Sequence, residues 1–186
     1  MWEKILQWDK QTLIYLNGLG SEPFDGLWST ITKFPTWIPF LVIVIVVLFL
    51  KNTKREGVMQ LLFLLLLAAC IGLLSNLTKE WVGRLRPNNT AELNTIIRVL
   101  KRPSDFSFFS GHASISFSLM LLAFLFLKNR WKWSWVVFIW PLFFSYSRIY
   151  LGVHYPLDIV AGIIIGGIVA LLFYKVYHKF IKLDSR

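Results

Sequence analysis

The stretch from Val58 to Leu77 reads VMQLLFLLLLAACIGLLSNL and contains no charged side chain. A helix needs about 20 mainly apolar residues to cross the hydrocarbon core of a bilayer, so this stretch is long enough to span it. The whole chain has a similar character, because 56% of its 186 residues are hydrophobic and its mean hydropathy is +0.59. These values are too apolar for a soluble domain of this length and indicate an integral membrane protein.

Four further uncharged runs accompany this one. They are Pro35–Leu50, Ala113–Leu127, Trp133–Tyr146 and Ile159–Tyr174. With their polar flanks, the five runs predict an all-α integral membrane helical bundle whose spans are residues 35–51, 58–78, 111–128, 132–150 and 156–177. A sixth span within residues 12–34 is an alternative, which the Gly, Pro and charged residues of that segment disfavour.

The N-terminal region mixes charged and apolar side chains. Residues 3–17 are typical of an amphipathic helix that lies at the membrane interface, and a second short helix is expected over residues 24–34. The start of the chain lacks the basic head and apolar core of a cleavable signal peptide. The predicted organisation is an interfacial helical segment (residues 1–34), a transmembrane core (35–178) and a basic cytoplasmic tail (179–186).

The distribution of Lys and Arg predicts the topology. Residues 51–55, residues 128–132 and the C-terminal tail are rich in both, which marks the cytoplasmic side, and five spans place them together. Segments 79–110 and 147–154 then share the outer side. The net charge of +10 is explained by loops facing anionic headgroups rather than by nucleic acid. The expected location is a bacterial inner (cytoplasmic) membrane, with the site facing the periplasm or the outside.

The first of three polar clusters on the outer side is Lys79 with Arg86-Pro87. Seven residues make two helical turns, so both cations point the same way if the helix continues until Pro87 ends it. Segment 79–110 is basic although it lies on the outer side, which indicates that a ligand requires the charges. Taken alone, the two cations also fit residues that reach from a helix end towards lipid headgroups.

The second cluster is Ser110-Gly111-His112, at the start of the third predicted span. The free N–H groups of a helix start bind anions, Ser110 adds a hydroxyl, and Gly111 lets a ligand approach the backbone. His112 can give a proton to a leaving oxygen. The alternative is an ordinary serine cap followed by an unrelated histidine.

The third cluster contains Arg148, His154 and Asp158. The carboxylate of Asp158, four residues after His154, can hold one imidazole nitrogen and leave the other to attack phosphorus. The forked guanidinium of Arg148 suits two phosphate oxygens. A structural Asp–His pair is the alternative, which the rarity of ionisable groups near a bilayer disfavours.

Together the clusters resemble, in order and spacing, the three signatures of the type 2 phosphatidic acid phosphatase (PAP2) superfamily. The matching patterns are Lys79-x6-Arg86-Pro87, Ser110-Gly111-His112 and Ser147-Arg148-x5-His154-x3-Asp158. The resemblance covers about residues 58–177. It departs from the family at Phe109, where the second signature usually begins with proline, so the shape of that loop stays open.

The resemblance implies a metal-independent lipid phosphatase that uses no cofactor. It implies that His154 attacks phosphorus to form a phosphohistidine, that Asp158 orients it, and that His112 protonates the leaving group and then helps to activate water. The residues expected to hold the phosphoryl oxygens are Lys79, Arg86, Ser110, Gly111 and Arg148. The expected substrates are phosphate or diphosphate monoesters of lipids, of the undecaprenyl diphosphate, lipid A, phosphatidylglycerol phosphate or phosphatidic acid type.

Two further expectations concern charge and class. Four basic residues outside the signatures favour a headgroup with several negative charges; they are Arg84, Arg98, Lys101 and Arg102. A non-catalytic protein that binds or transports lipid phosphates on the same fold is the alternative class. Both histidines and Asp158 argue against it, because binding alone needs only the cations. The expected partners are the lipid phosphate and membrane lipids, and the oligomeric state stays open.

Overall fold

The computed structural model describes residues 1–184, and the side chains of residues 1–180. Within that range the chain is all-helical, without strands. Its α-helices are α1 (Trp2–Gly18), α2 (Asp25–Ile31), α3 (Ile38–Lys51), α4 (Lys54–Val82), α5 (Gly111–Leu127), α6 (Ile139–Tyr150) and α7 (Pro156–Asp184). Single 3₁₀ turns lie at Glu22–Phe24, Phe34–Trp37, Pro87–Asn89 and Ser134–Phe138.

Among residues 1–184, three segments are long and apolar enough to cross a membrane: α4, α7, and α3 with the turn before it. The apolar helix α5 has 17 residues, which is about the lower limit for a span. The predicted span 132–150 consists of a 3₁₀ turn followed by the 12 residues of α6. An all-helical membrane protein is confirmed, while the number of spans stays a prediction.

The ends of α4 are set by local chemistry. At its start, the Thr53 side chain accepts from the Glu56 N–H while the Glu56 carboxylate accepts from the Thr53 N–H. At its end, Gly83 has a φ of 63°, a conformation that favours glycine, and its N–H bonds to the Lys79 carbonyl. The prediction that Lys79 and Arg86 share one helix face is therefore wrong, because α4 ends at Val82 and Arg86 lies in extended backbone.

Helices α5 and α7 approach each other closely along their backbones. A Cβ atom at Gly162 would lie 2.8 Å from the Ser110 carbonyl oxygen, and one at Gly166 would lie 2.7 Å from that of Ser114. Small residues at this spacing let two helix backbones approach. The approach also allows the Ser110 N–H to bond to the Asp158 carbonyl at 3.0 Å, which links the start of α5 to the first turn of α7.

The N-terminal segment packs onto the end of the bundle that carries the motifs. Helix α1 buries Asp9, Leu13 and Asn17 on one face at intervals of four residues. The Asn17 amide donates to the carbonyls of Ile149 and Tyr150, both at 3.0 Å. These contacts attach α1 to the end of α6. Its location at a membrane interface, and the three-part organisation of the chain, stay predictions.

The opposite end of the bundle joins the two basic loops that the topology places together. Arg130 forms an ion pair with Glu56 at 2.9 Å and bonds to the Lys51 carbonyl at 3.3 Å. Loops 51–55 and 128–132 are thus neighbours. The predicted tail, residues 179–186, begins within α7, and its last two residues lie outside the described range.

Candidate active site

The end of α4, the start of α5 and the turn between α6 and α7 meet at one end of the bundle. Arg86 lies in the loop after α4, and its Nη1 atom is 2.8 Å from Nε2 of His154 in the α6–α7 turn. That turn depends on Gly152, which has a φ of 72° and whose Cβ would lie 2.6 Å from the Arg98 carbonyl oxygen. The first and third clusters, far apart in sequence, are therefore in direct contact.

The position of the proton on His154 follows from its neighbours. A guanidinium can only donate, so Nε2 accepts from Arg86 and the proton lies on Nδ1. Nδ1 faces Oδ2 of Asp158 at 3.4 Å, the pairing that the spacing predicts. Burial and the neighbouring Arg86 and Arg148 charges hold the pKa of His154 well below its usual value, so the ring is neutral near pH 7. Nε2 is thus the nitrogen with a lone pair among cations.

The Asp158 carboxylate is buried and held from three directions. Its Oδ1 atom accepts from Nη1 of Arg84 at 2.6 Å, and Oδ2 accepts from the Tyr155 N–H at 3.0 Å as well as facing His154. Its position in the first turn of α7 agrees with the prediction. The carboxylate therefore has little freedom to rotate.

Gly111 and His112 of the second cluster line a cavity of about 340 Å³, together with Lys79 and Phe144. Gly111 lies so close to α4 that a Cβ atom at this position would be 3.0 Å from Oγ of Ser75. The His112 ring packs on Phe144 with centroids 4.8 Å apart, and the charges of Arg86, Arg148 and Lys79 act on it electrostatically. The cavity leaves open space beside the His112 ring.

The side chains of Ser110 and Arg148 make hydrogen bonds to other residues of the protein. The Ser110 hydroxyl caps α5 by accepting from the Ala113 N–H at 3.4 Å, so the capping alternative is realised as well. Arg148 is buried near the end of α6, donates from Nη1 to Oγ1 of Thr32 at 2.6 Å, and has no hydrogen-bond partner for Nε among the described residues. Part of its fork is therefore unused.

Asp105 is a site residue that the sequence interpretation missed. Its Oδ2 atom lies 2.6 Å from Nζ of Lys79 and 2.9 Å from Nη2 of Arg86, so one carboxylate joins the two cations of the first cluster. Burial raises the pKa of Asp105, but hydrogen bonds from Arg86 and Lys79 outweigh it and hold that pKa well below its usual value. The sequence signal that could have identified Asp105 is the presence of an acidic residue in a loop rich in Lys and Arg.

Arg84 and Arg98 correct the expectation about extra headgroup charges. Arg84 binds Asp9 and Asp158, both at 2.6 Å, and its guanidinium carbon stacks 3.9 Å from the centre of the Tyr155 ring. Arg98 binds Asp25 at 2.6 Å. Because both cations already have acidic partners within the protein, they do not support a highly charged headgroup.

The chain is similar to a known protein family and to several of its members over most of its length. A family model described as the PAP2 superfamily matches residues 57–182. A lipid A 4'-phosphatase of Bacteroides thetaiotaomicron is 35% identical over 92% of this chain and 77% of its own length. A lipid A 4'-phosphatase of Porphyromonas gingivalis is 30% identical, over 94% and 75%. An undecaprenyl-diphosphatase of Sulfolobus acidocaldarius is 31% identical, over 80% and 68%.

Two solved structures share the fold. The PAP2-type phosphatidylglycerolphosphate phosphatase from Bacillus subtilis superposes with a TM-score of 0.73 at 24% identity, covering 95% of this chain and 87% of that one. The structure of Aquifex aeolicus LpxE gives a TM-score of 0.62 at 20% identity, covering 89% and 93%. At these identities the likeness concerns the fold.

Proposed function

The chain belongs to the PAP2 superfamily of membrane lipid phosphatases, and on that premise we propose that it hydrolyses a lipid phosphate through a phosphohistidine on His154, without a metal ion. The observation that carries this proposal is the contact of Nε2 of His154 with Arg86, which fixes the proton on Nδ1 beside Asp158. A neutral imidazole with its lone pair among cations is suited to attack a phosphate anion.

In the first half of the proposed reaction, Nε2 of His154 forms a bond to phosphorus while the bond from phosphorus to the lipid oxygen breaks. Asp158 stabilises the positive charge that the imidazole gains. The negative charge of the bound phosphate favours protonation of His112, which lines the cavity and gives its proton to the departing lipid oxygen. The lipid leaves as an alcohol, or as a monophosphate if the substrate is a diphosphate.

In the second half, water attacks the phosphohistidine. His112, now neutral, takes a proton from the water as its oxygen bonds to phosphorus and the P–N bond breaks. The products are inorganic phosphate and neutral His154. Both proposed half-reactions need the two histidines, whereas binding alone needs only the cations.

Phosphate binding requires an exchange at the first cluster. We place the phosphoryl oxygens against Lys79, Arg86 and Arg148 and against the N–H groups at the start of α5. Lys79 and Arg86 now hold the Asp105 carboxylate, and Arg86 lies against Nε2 of His154. The incoming phosphate therefore replaces the carboxylate and draws the Arg86 guanidinium away from the nucleophile.

The proposed substrate is a phosphate monoester of the lipid A type. Two relatives that match this chain over three quarters of their own length are lipid A 4'-phosphatases. Undecaprenyl diphosphate, phosphatidylglycerol phosphate and phosphatidic acid are the other candidates, and the apolar cavity wall is compatible with each of them.

The test is phosphate release by the detergent-solubilised protein from each of these four lipids, in excess EDTA. We expect release from at least one of them, fastest from lipid A, with His154→Ala inactive and His178→Ala active. Binding of a lipid phosphate without release would favour the non-catalytic alternative. Loss of activity in EDTA that magnesium restores would contradict the metal-independent route.

The proposed sidedness places the site outside the cytoplasm of a bacterial inner membrane. In a Cys70→Ala background, a cysteine at the exposed Asn89, beside the site, should react with an impermeant reagent on intact spheroplasts. A cysteine at the exposed Asn129, at the opposite end, should react only after lysis. The reverse pattern would overturn the orientation and leave the chemistry intact.

A further inference from the structure

Arg84 lies between two buried carboxylates that come from opposite ends of the sequence. Its Nη1 atom donates to Oδ1 of Asp158 and its Nη2 atom donates to Oδ2 of Asp9, each at 2.6 Å. Both carboxylates are 0% exposed. The guanidinium is planar, so fixing one of its nitrogens on Asp9 sets the direction in which the other meets Asp158.

Asp9 makes a second contact with the same region. Its Oδ1 atom accepts from the N–H of Leu157 at 2.8 Å, in the first turn of α7. This N–H belongs to the helix start that carries Asp158, and an acid there also complements the helix dipole. The two oxygens of Asp9 thus hold both the backbone next to Asp158 and the cation bound to its carboxylate.

The burial of these charges makes the arrangement sensitive to single changes. Burial raises the pKa of Asp9, and its hydrogen bond to Arg84 opposes that effect. A buried ion pair that loses one partner leaves an uncompensated charge, which is strongly unfavourable. Without Asp9, the second half of the Arg84 fork has no acid, and the guanidinium is free to turn on the Asp158 carboxylate.

We propose that Asp9 is a positioning residue, which acts through Arg84 and the Leu157 N–H to fix the Asp158 carboxylate against Nδ1 of His154. This inference rests on the proposed function. It makes helix α1 part of the reactive centre, although Asp9 lies outside residues 57–182 that match the family model. Asp9 does not touch the phosphate-binding residues, so it acts on turnover rather than on substrate binding.

The chain offers a matched control in Asp25. This acid also attaches the N-terminal segment to the rest of the protein, to the 83–110 loop through Arg98 at 2.6 Å and to α6 through the Tyr150 hydroxyl at 2.8 Å. It has no contact with Asp158. A variant of Asp25 therefore removes an equivalent tether without disturbing the His154–Asp158 pair.

The first test compares kcat and KM for one lipid phosphate. Asp9→Asn should lower kcat about 10-fold or more, with KM within about threefold. This loss of kcat should be smaller than that of Asp158→Asn, because Asp158 orients His154 directly. Asp9→Glu should recover part of kcat. In the Arg84→Gln background, Asp9→Asn should add little, because the two residues act as one unit. Asp25→Asn should keep kcat within about threefold.

The second test does not depend on turnover. In protein with ¹⁵N-labelled histidine, the signal lost in His154→Ala should show a ring protonated on Nδ1, and Asp9→Asn should shift it towards a mixture of tautomers. Arg84→Lys serves if Asp9→Asn does not fold. An inactive wild-type protein would contradict the proposed function and leave this test valid. An unchanged His154 signal, or an equal loss of kcat in Asp25→Asn, would overturn the positioning role.

Discussion

The site contains two carboxylates, each joined to cations at 2.6 Å, that lie on opposite sides of His154. Asp158 contacts the Nδ1 side of the ring and is 0% exposed, whereas Asp105 reaches Arg86, which covers the Nε2 side, and is 48% exposed. Asp158 is joined through Arg84 to Asp9, and these three residues, the Asp158 group, are enclosed by α1 and α7. Asp105 lies in the loop between α4 and α5, and its partner Lys79 lines the cavity. Similar ion pairs thus occur in two very different environments.

The difference in burial assigns different tasks to the two groups. Breaking a buried pair leaves a desolvated charge, so Asp158 and its partners stay together through the reaction. The Asp105 carboxylate is half-exposed, so water and salt reach it and a phosphate can take its place. One carboxylate positions the nucleophile, and the other occupies the place of the substrate. The predictions below test this division.

The largest expected effect is that of His154→Ala. The substitution removes Nε2, which lies against Arg86, together with Nδ1, which pairs with Asp158, so the covalent route is lost entirely. Phosphate release should fall to the background of the assay, while His178→Ala, at the opposite end of α7, keeps its activity. Near-normal release by His154→Ala would break the comparison, because neither carboxylate would then be placed around a nucleophile.

The next effect separates Asp158 from Arg148. Asp158→Asn should lower kcat by about 10²–10⁴ and leave KM nearly unchanged, because the carboxylate stabilises charge that appears only during attack. Arg148→Ala should raise KM as well as lower kcat, since it removes phosphate contacts in ground and transition states. Both parameters are measured for both variants on one short-chain lipid phosphate. An Asp158→Asn variant with altered KM alone would contradict the proposed pairing.

The apolar part of the fold could be predicted from the sequence because its causes are local. Uncharged runs located the long helices, and the glycines of α7 let it approach α5 closely. The spacing of His154 and Asp158 placed them in contact, since Pro156 begins a helix between them. Helices, and contacts between residues that are close in the sequence, could therefore be predicted.

The partners of the charged residues could not be predicted, because they depend on the path of the chain between helices. Gly83 ends α4 early, which directs Arg86 into a loop and towards Asp105. Arg84 was assigned to a headgroup, whereas it meets Asp9, 75 residues away in the sequence. No local pattern marks Asp9 as a buried acid, because α1 has the charged and apolar residues of an ordinary amphipathic helix.

A smaller effect is expected in the pH dependence of kcat/KM. The lowered pKa of His154 keeps the nucleophile neutral as the pH falls through its usual value of 6.5, so the acid limb should lie below that value. The negative charge of Asp105 raises the pKa of His154, opposing burial and the cations. Asp105→Asn should therefore move the acid limb to lower pH. The same substrate is used for both proteins, so its own ionisation cancels in the difference.

The smallest expected effect, and the sharpest test of the comparison, is that of Asp105→Asn on KM. An amide holds Lys79 and Arg86 less strongly than a carboxylate does, so the phosphate displaces it more easily. Ion pairs that solvent screens are worth about 0.2–1 kcal/mol, and Asp105 is the solvent-exposed partner here, so KM should fall by about 1.4- to 5-fold with kcat little changed. Asp105→Glu, which keeps the charge, should leave KM nearer to that of the wild type. Lower affinity for phosphate in Asp105→Asn would mean that the carboxylate holds the two cations in their working positions. Both carboxylates would then position other residues, and neither would be replaced by the substrate.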